Sequence, residues 1–141
     1  MPTTTATISI TNDIASVPTS ISASFNLVKA ASSEGMDTMT SKRKIYTSTD
    51  QVDMIPFGDA GGSTHNFVYI SNASTVSTDY IKITQTDSPG GSSTEVIVEQ
   101  IGRLYAGDWM LIPWNAADAT QDIAITPSTA NEMPIEYVLI S

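Results

Sequence analysis

Hydrophobic and polar residues alternate with a period of two along much of this chain, the pattern of strands half-buried on a sheet. The clearest case runs from Ser20 to Val28. There Ile21, Ala23, Phe25 and Leu27 fall on one side, and Ser22, Ser24 and Asn26 on the other. Ala6, Ile8 and Ile10 alternate with Thr7 and Ser9, which predicts a first strand at an edge or in an arm. Ile81 and Ile83 alternate with Tyr80, Lys82 and Thr84. Ile123 and Ile125 repeat the pattern, and Ile135, Tyr137 and Leu139 carry it through a last strand.

Two segments are denser. Phe67-Val-Tyr-Ile70 and Trp109-Met-Leu-Ile112 are nearly continuous apolar runs, which predict strands covered on both faces. From Thr94 to Ile101 apolar residues fall on both sides, so the pattern leaves the register of that strand open. Ile45–Thr49 and Gln51–Ile55 form a weaker pair of strand candidates. Breakers separate these runs at short intervals. Ser88-Pro-Gly-Gly91 predicts a hairpin turn, 58–63 a flexible loop, and Ala106-Gly-Asp108 a turn into the Trp109 strand. Pro113 is expected to close that strand, because proline cannot donate to a ladder. Residues 28–40 offer at most one helical turn, weakened by Gly35 and serines. The expectation is an all-β fold: an antiparallel β-sandwich, jelly-roll-like, of eight to ten short strands. Residues 1–14 form an arm or edge strand, and residues 15–141 a single sandwich domain.

Composition supports a core of modest size. There are 19 threonines and 18 serines, about a quarter of the 141 residues. Ile, Val, Leu and Phe still make up about 22%, just above the roughly 20% below which a core becomes doubtful. Net charge is −9, from 15 acids and 6 bases, which disfavours both nucleic acid and an anionic membrane as partners. No run of eighteen apolar residues occurs, and Met1-Pro-Thr-Thr-Thr5 lacks the basic and apolar stretches of a secretory signal. With no cysteine, disulfides, thiolate metal sites and cysteine nucleophiles are excluded.

Candidate chemistry is sparse. His65 is the single histidine, so a Ser–His–Asp arrangement would have to run through it, and no G-x-S-x-G elbow accompanies it. A start-of-strand position is the expectation instead. Calcium is the one ion the composition allows, through Asp118 and Asp122 or Asp50 and Asp53, although no EF-hand pattern is present. Solvated loop acids are the expected role, with no cofactor and no enzymatic activity. Ser41-Lys-Arg-Lys44 holds three of the six bases and is expected as a solvated turn. Asn72-Ala-Ser74 matches a glycosylation sequon. Trp109 and Trp114 are five apart, so on one regular strand they face opposite ways. Core packing is the favoured role for both; the alternative for Trp114, beside Pro113 and Asn115, is a loop tip from which it anchors a partner. Thr3, Thr4 and Thr5 are the other expected contacts, in an arm that orders on a neighbour by strand addition.

From Phe67 onward the motifs form a recognisable series. Phe67-Val-Tyr-Ile-Ser-Asn72 is followed by Asp79-Tyr-Ile-Lys-Ile83 and a Gly-rich hairpin. Ile101-Gly-Arg-Leu-Tyr-Ala-Gly-Asp-Trp-Met-Leu-Ile-Pro113 and a closing Pro-Ile-Glu-Tyr-Val-Leu-Ile140 complete it. Over residues 66–141 this resembles small β-sandwich structural proteins of tailed bacteriophages, including capsid decoration (cement) proteins and accessory head or tail proteins. The resemblance implies a non-enzymatic virion component, assembled in the host cytoplasm, that binds the major capsid protein and stabilises the shell. It implies a homo-oligomer, with a homotrimer favoured, and supplies no catalytic residues. The alternatives are a tail, neck or fibre component and a carbohydrate-binding module with an exposed tryptophan.

Overall fold

A computed structural model describes residues 3–12, 19–61, 65–87, 96–116 and 121–141. Ten strands account for most of them: β1 (Thr4–Asn12), β2 (Thr19–Leu27), β3 (Met39–Tyr46), β4 (Val52–Ile55) and β5 (Asn66–Asn72). Then follow β6 (Tyr80–Asp87), β7 (Val96–Tyr105), β8 (Trp109–Trp114), β9 (Gln121–Pro127) and β10 (Met133–Ile140). Every pairing between them is antiparallel. The one helical element described is a 3₁₀ turn at Phe57–Ala60, closed by Gly61 at a φ of 61° and held by Asp122, whose carboxylate accepts the Phe57 N–H at 2.7 Å. Residues 28–40 contain no helix; an isolated bridge between Val28 and Gly35 closes a turn there. No described helix is long and apolar enough to cross a membrane.

The chain divides into two units, Met1–Thr38 and Met39–Ser141. β2 pairs with β1 in a two-stranded ribbon and does not join the sandwich sheets. Beyond the ribbon, the Lys29 N–H donates to Glu34 O at 2.9 Å and Lys29 Nζ meets Asp37 Oδ2 at 2.6 Å. The hydrogen bond that the Lys29 ammonium donates to the Asp37 carboxylate holds its pKa above the ordinary value.

The second unit is a β-sandwich. One sheet has the order β3-β10-β5-β8, the other β4-β9-β6-β7. Its pairings are nested: β6 with β7, β5 with β8, β4 with β9 and β3 with β10. Between the sheets lies one core, formed by Val68, Ile70, Ile135, Tyr137, Leu139 and Trp114 from the first and Ile81, Ile83, Leu104, Ile123, Ile125 and Ile55 from the second. Ile81, Ile83, Ile123, Ile125, Ile135, Tyr137 and Leu139 are the residues whose alternation with polar neighbours predicted half-buried strands, and burying such apolar area is what drives the sheets together. Of the weaker candidates, Gln51–Ile55 contains β4, whereas only Ile45 and Tyr46 of Ile45–Thr49 are in a strand, at the end of β3; β3 and β4 lie in opposite sheets and do not pair with each other. Pro113 does not end its strand. β8 is an edge strand, where a missing N–H donor is tolerated, and it continues to Trp114. The Ser88–Gly91 turn lies outside the described residues; β6 and β7 on either side of it pair with two register shifts.

Candidate interaction surface

Asn72, Ser74, Asp79 and the Tyr105–Asp108 turn meet at one corner of the sandwich. Asn72 ends β5, and its buried side-chain amide donates to the Leu104 carbonyl at 3.2 Å. Its Oδ1 accepts the Ser74 N–H at 3.1 Å, and Ser74 Oγ donates to Asp79 Oδ2 at 2.7 Å. The Asn72 carbonyl accepts the Gly107 N–H at 2.8 Å, and Asp108 Oδ2 accepts the Tyr105 N–H at 2.9 Å. These groups satisfy one another, which is what buried polar atoms require. The corner is structural: it fastens the end of β5 to the start of β6 and to the β7–β8 turn. Asn72 is fully buried in the folded chain, so the sequon it heads is not presented to solvent.

The other singled-out residues do not converge. His65 immediately precedes β5, its ring 4.9 Å from that of Phe67. Asp50 accepts the Ser48 hydroxyl at 2.7 Å, Asp53 lies half-buried in β4, and Asp122 holds the 3₁₀ turn; Asp118 lies outside the described residues. Among the described residues no three His, Asp or Glu side chains gather as metal ligands. The Ser41–Lys44 cluster is not a turn. It lies within edge strand β3, whose alternation splits the charges between two faces. Lys42 and Lys44 stand over the Tyr137 ring, each 6.0 Å from its centroid, while Arg43 faces outward and pairs with Glu136 at 3.2 Å. Lys42 meets Asp59 at 3.0 Å, and that hydrogen bond, with Tyr137 adding, holds its pKa above the ordinary value. Lysines turned inward on an edge strand guard it against pairing with another chain.

Thr4 and Thr5 lie in β1, where the Thr4 hydroxyl donates to the Met36 carbonyl at 2.9 Å and that of Thr5 to Asn26 Oδ1 at 3.2 Å; Thr3 precedes the strand and is exposed. Trp114 is not at a loop tip. It is the last residue of β8, 4% exposed, with its ring in the core. The two tryptophans do face opposite ways, but the exposed one is Trp109, at 51%.

Trp109 belongs to a surface that the sandwich leaves open. Register across the first sheet sets Met39, Ile140, Phe67 and Pro113 in one row and Ser41, Val138, Tyr69 and Leu111 in the next. Arg43, Glu136, Ser71 and Trp109 make a third row, and Ile45 with Pro134 a partial fourth. All of these side chains point away from the core, opposite to Val68, Ile70, Tyr137 and Leu139. Most are apolar, whereas an outward face of an antiparallel sheet is ordinarily polar. Met39 is 71% exposed and Ile45 59%; Phe67, Tyr69, Leu111 and Val138 are half-buried among their neighbours. Tyr69 and Trp109 stand 5.9 Å apart, their planes inclined by 31°. The single ion pair in the rows, Arg43 with Glu136, cancels its own charge. Strand spacing and rise give the face roughly 400 Å², the range in which a monomer's largest apolar patch is often functional. A groove of about 330 Å³ between Ile45, Val76 and Pro134, with Arg43 and Glu132 at its rim, extends one corner.

The apolar runs 67–70 and 109–112 had implied cover on both faces. The inner face has it; on the outer one Trp109 is exposed, and Phe67, Tyr69 and Leu111 are half-buried among their neighbours. A second, smaller aromatic group lies at β6–β7, where Arg103 sits 4.2 Å over the Tyr80 ring and Tyr80 and Tyr105 are 5.5 Å apart. Comparison with known proteins gave no matching family model, no matching curated protein and no matching solved structure.

Proposed function

We propose that this chain is a non-enzymatic structural protein of a tailed-phage virion, which binds major capsid subunits and stabilises the shell. The observation that carries the reading is the uncovered apolar face of the β3-β10-β5-β8 sheet. Such a face gains free energy only by being covered, and a protein acting this way needs contact area, not reactive groups. The nested pairing supports it: β3 with β10 and β6 with β7 are pairings that a jelly-roll winding would give, an architecture common in capsid domains. Binding across adjacent subunits adds contact free energy that opposes the pressure of packaged DNA. Assembly as a homotrimer at threefold positions belongs to the same proposal.

Binding to capsids purified without the protein tests it. The wild-type chain is expected to co-sediment to saturation and to raise the temperature at which shells rupture, while Leu111→Glu, folded but carrying a charge in the middle row, is expected to do neither. Virions that lack the protein, or shells whose rupture is unchanged by it, would sink the idea. Location of the chain in a tail, neck or fibre by electron cryomicroscopy would move the role without changing the surface.

The Tyr69–Trp109 pair favours a second reading, a carbohydrate-binding module, since two rings side by side on a flat sheet suit stacking on sugars. Its anchor is Trp109 in place of Trp114. Binding on a glycan array that Trp109→Ala abolishes in a folded protein supports it, and an array without any binding removes it.

A further inference from the structure

The β1–β2 ribbon carries a separate unpartnered surface. Its register sets Ala6, Ile8 and Ile10 opposite Phe25, Ala23 and Ile21 on one face. Thr5, Thr7, Ser9 and Thr11 oppose Asn26, Ser24, Ser22 and Ser20 on the other. One face is thus apolar and the other entirely hydroxyl and amide. Ile10, Ile21 and Phe25 are 53%, 56% and 58% exposed. A ribbon of two nine-residue strands is at best marginal in water without a further layer. Neither strand contains a charge or a proline, and their pairing has no register shift, so the devices that keep exposed edges apart are missing.

We propose that the ribbon is a self-association element, covered by the ribbon of a second copy of this chain, apolar face against apolar face. Charge selects that occupant. Two copies of a chain with net charge −9 repel wherever acidic surfaces meet, and the strands of the ribbon hold none of the charged residues. A basic partner gains from the acidic surface and gains nothing from a neutral ribbon. Stacking two ribbons places Ile10, Ile21 and Phe25 of both copies in a dry layer and leaves the hydroxyl faces in water. Strand rise and spacing make each face about 30 by 10 Å, well under the roughly 800 Å² per partner of a standard stable interface. The contact is therefore weak in dilute solution and fills when copies are held side by side, where effective concentrations reach the millimolar range.

Sedimentation equilibrium of the full chain from about 10 µM to about 1 mM tests this directly. The apparent mass is expected to rise from 15.0 kDa towards twice that value, and to rise further in high salt, which screens the repulsion between copies. Phe25→Asp is expected to remain a monomer throughout, and Phe25→Leu to associate like the wild type. Unchanged methyl resonances of Val68 and Ile70 show that the sandwich persists in each variant. A wild-type chain that is monomeric at the highest concentration overturns the proposal. So does association that survives Phe25→Asp, or that disappears in Leu111→Glu with the ribbon intact. Capsid binding is scored on the sheet-face variant, so loss of one property is distinguishable from loss of the other.

Discussion

Asn72, at the end of β5, donates its side-chain amide to the main-chain carbonyl of Leu104 in β7, and so joins the two sheets of the sandwich at one corner. The same side chain accepts the Ser74 N–H, which makes it a two-way bridge inside a fully buried pocket of polar groups. Asn72→Ala leaves the Leu104 carbonyl and the Ser74 N–H without that partner. At about 1–3 kcal/mol per unsatisfied buried group, the expected loss is about 3 kcal/mol in urea unfolding. Asn72→Asp keeps an acceptor for Ser74 but turns a second oxygen on the Leu104 carbonyl. It is expected to cost at least as much, and a near-neutral Asn72→Asp would show that the donor role is unimportant.

The turn beside that corner isolates a backbone effect. Gly107 has a φ of 86°, and a Cβ built there meets nothing within 4 Å. Gly107→Ala therefore adds no clash and pays only for a conformation that L-residues avoid, with an expected loss of about 1–2 kcal/mol. Gly107→Asn, which tolerates positive φ better, is expected to lose less. Equal losses for the two would point away from the dihedral angle and towards the side chain.

How far the sequence carries can be judged from particular strands. Ile81, Ile83, Ile123, Ile125, Ile135, Tyr137 and Leu139 are buried where their alternation puts them. The most regular alternation, in β2, belongs instead to a strand whose Ile21 and Phe25 are more than half exposed. Period two reports that a strand is one-sided; it carries no information about whether a second layer covers that side. Near Thr84 and Thr86 the register shifts, and Ile97 and Val98, on consecutive positions, are both exposed. An inserted residue of that kind erases the alternation that pattern reading depends on. The outer sheet face was least legible of all. Met39, Ile140, Phe67 and Pro113 become neighbours only through three long-range pairings, so no local window contains them.

The two tryptophans divide stability from surface properties. Trp114→Ala empties a core position and is expected to cost about 3–5 kcal/mol, whereas Trp109→Ala is expected to change stability by less than about 1 kcal/mol. Fluorescence separates them without relying on stability. Trp109→Phe, which keeps only the buried indole, is expected to emit at shorter wavelength and to resist acrylamide quenching. Trp114→Phe is expected to retain a long-wavelength, readily quenched emission. The reverse assignment would restore Trp114 as the exposed anchor and remove Trp109 from the face.

Alkaline pH tests how tightly the inner edge of β3 closes over the core. Burial pushes the Tyr46 phenol up to about 12, with the neighbouring Tyr137 adding to it. In the unfolded chain the group titrates near 10. Between those values the unfolded state releases a proton that the folded state keeps, so stability present below about pH 10 is lost as pH rises towards 12. Because the side chain is only half-buried, solvent screening reduces the expected loss to the order of 1 kcal/mol. Lys42 and Tyr137 are also held above their ordinary values, so the wild-type slope alone does not isolate Tyr46. The comparison with Tyr46→Phe does. Its stability is expected to fall less steeply from pH 10 to 12 than that of the wild type, in unfolding curves at matched ionic strength. Identical slopes would mean that the phenol is solvated in the folded chain and that the β3 edge stands open above Tyr137.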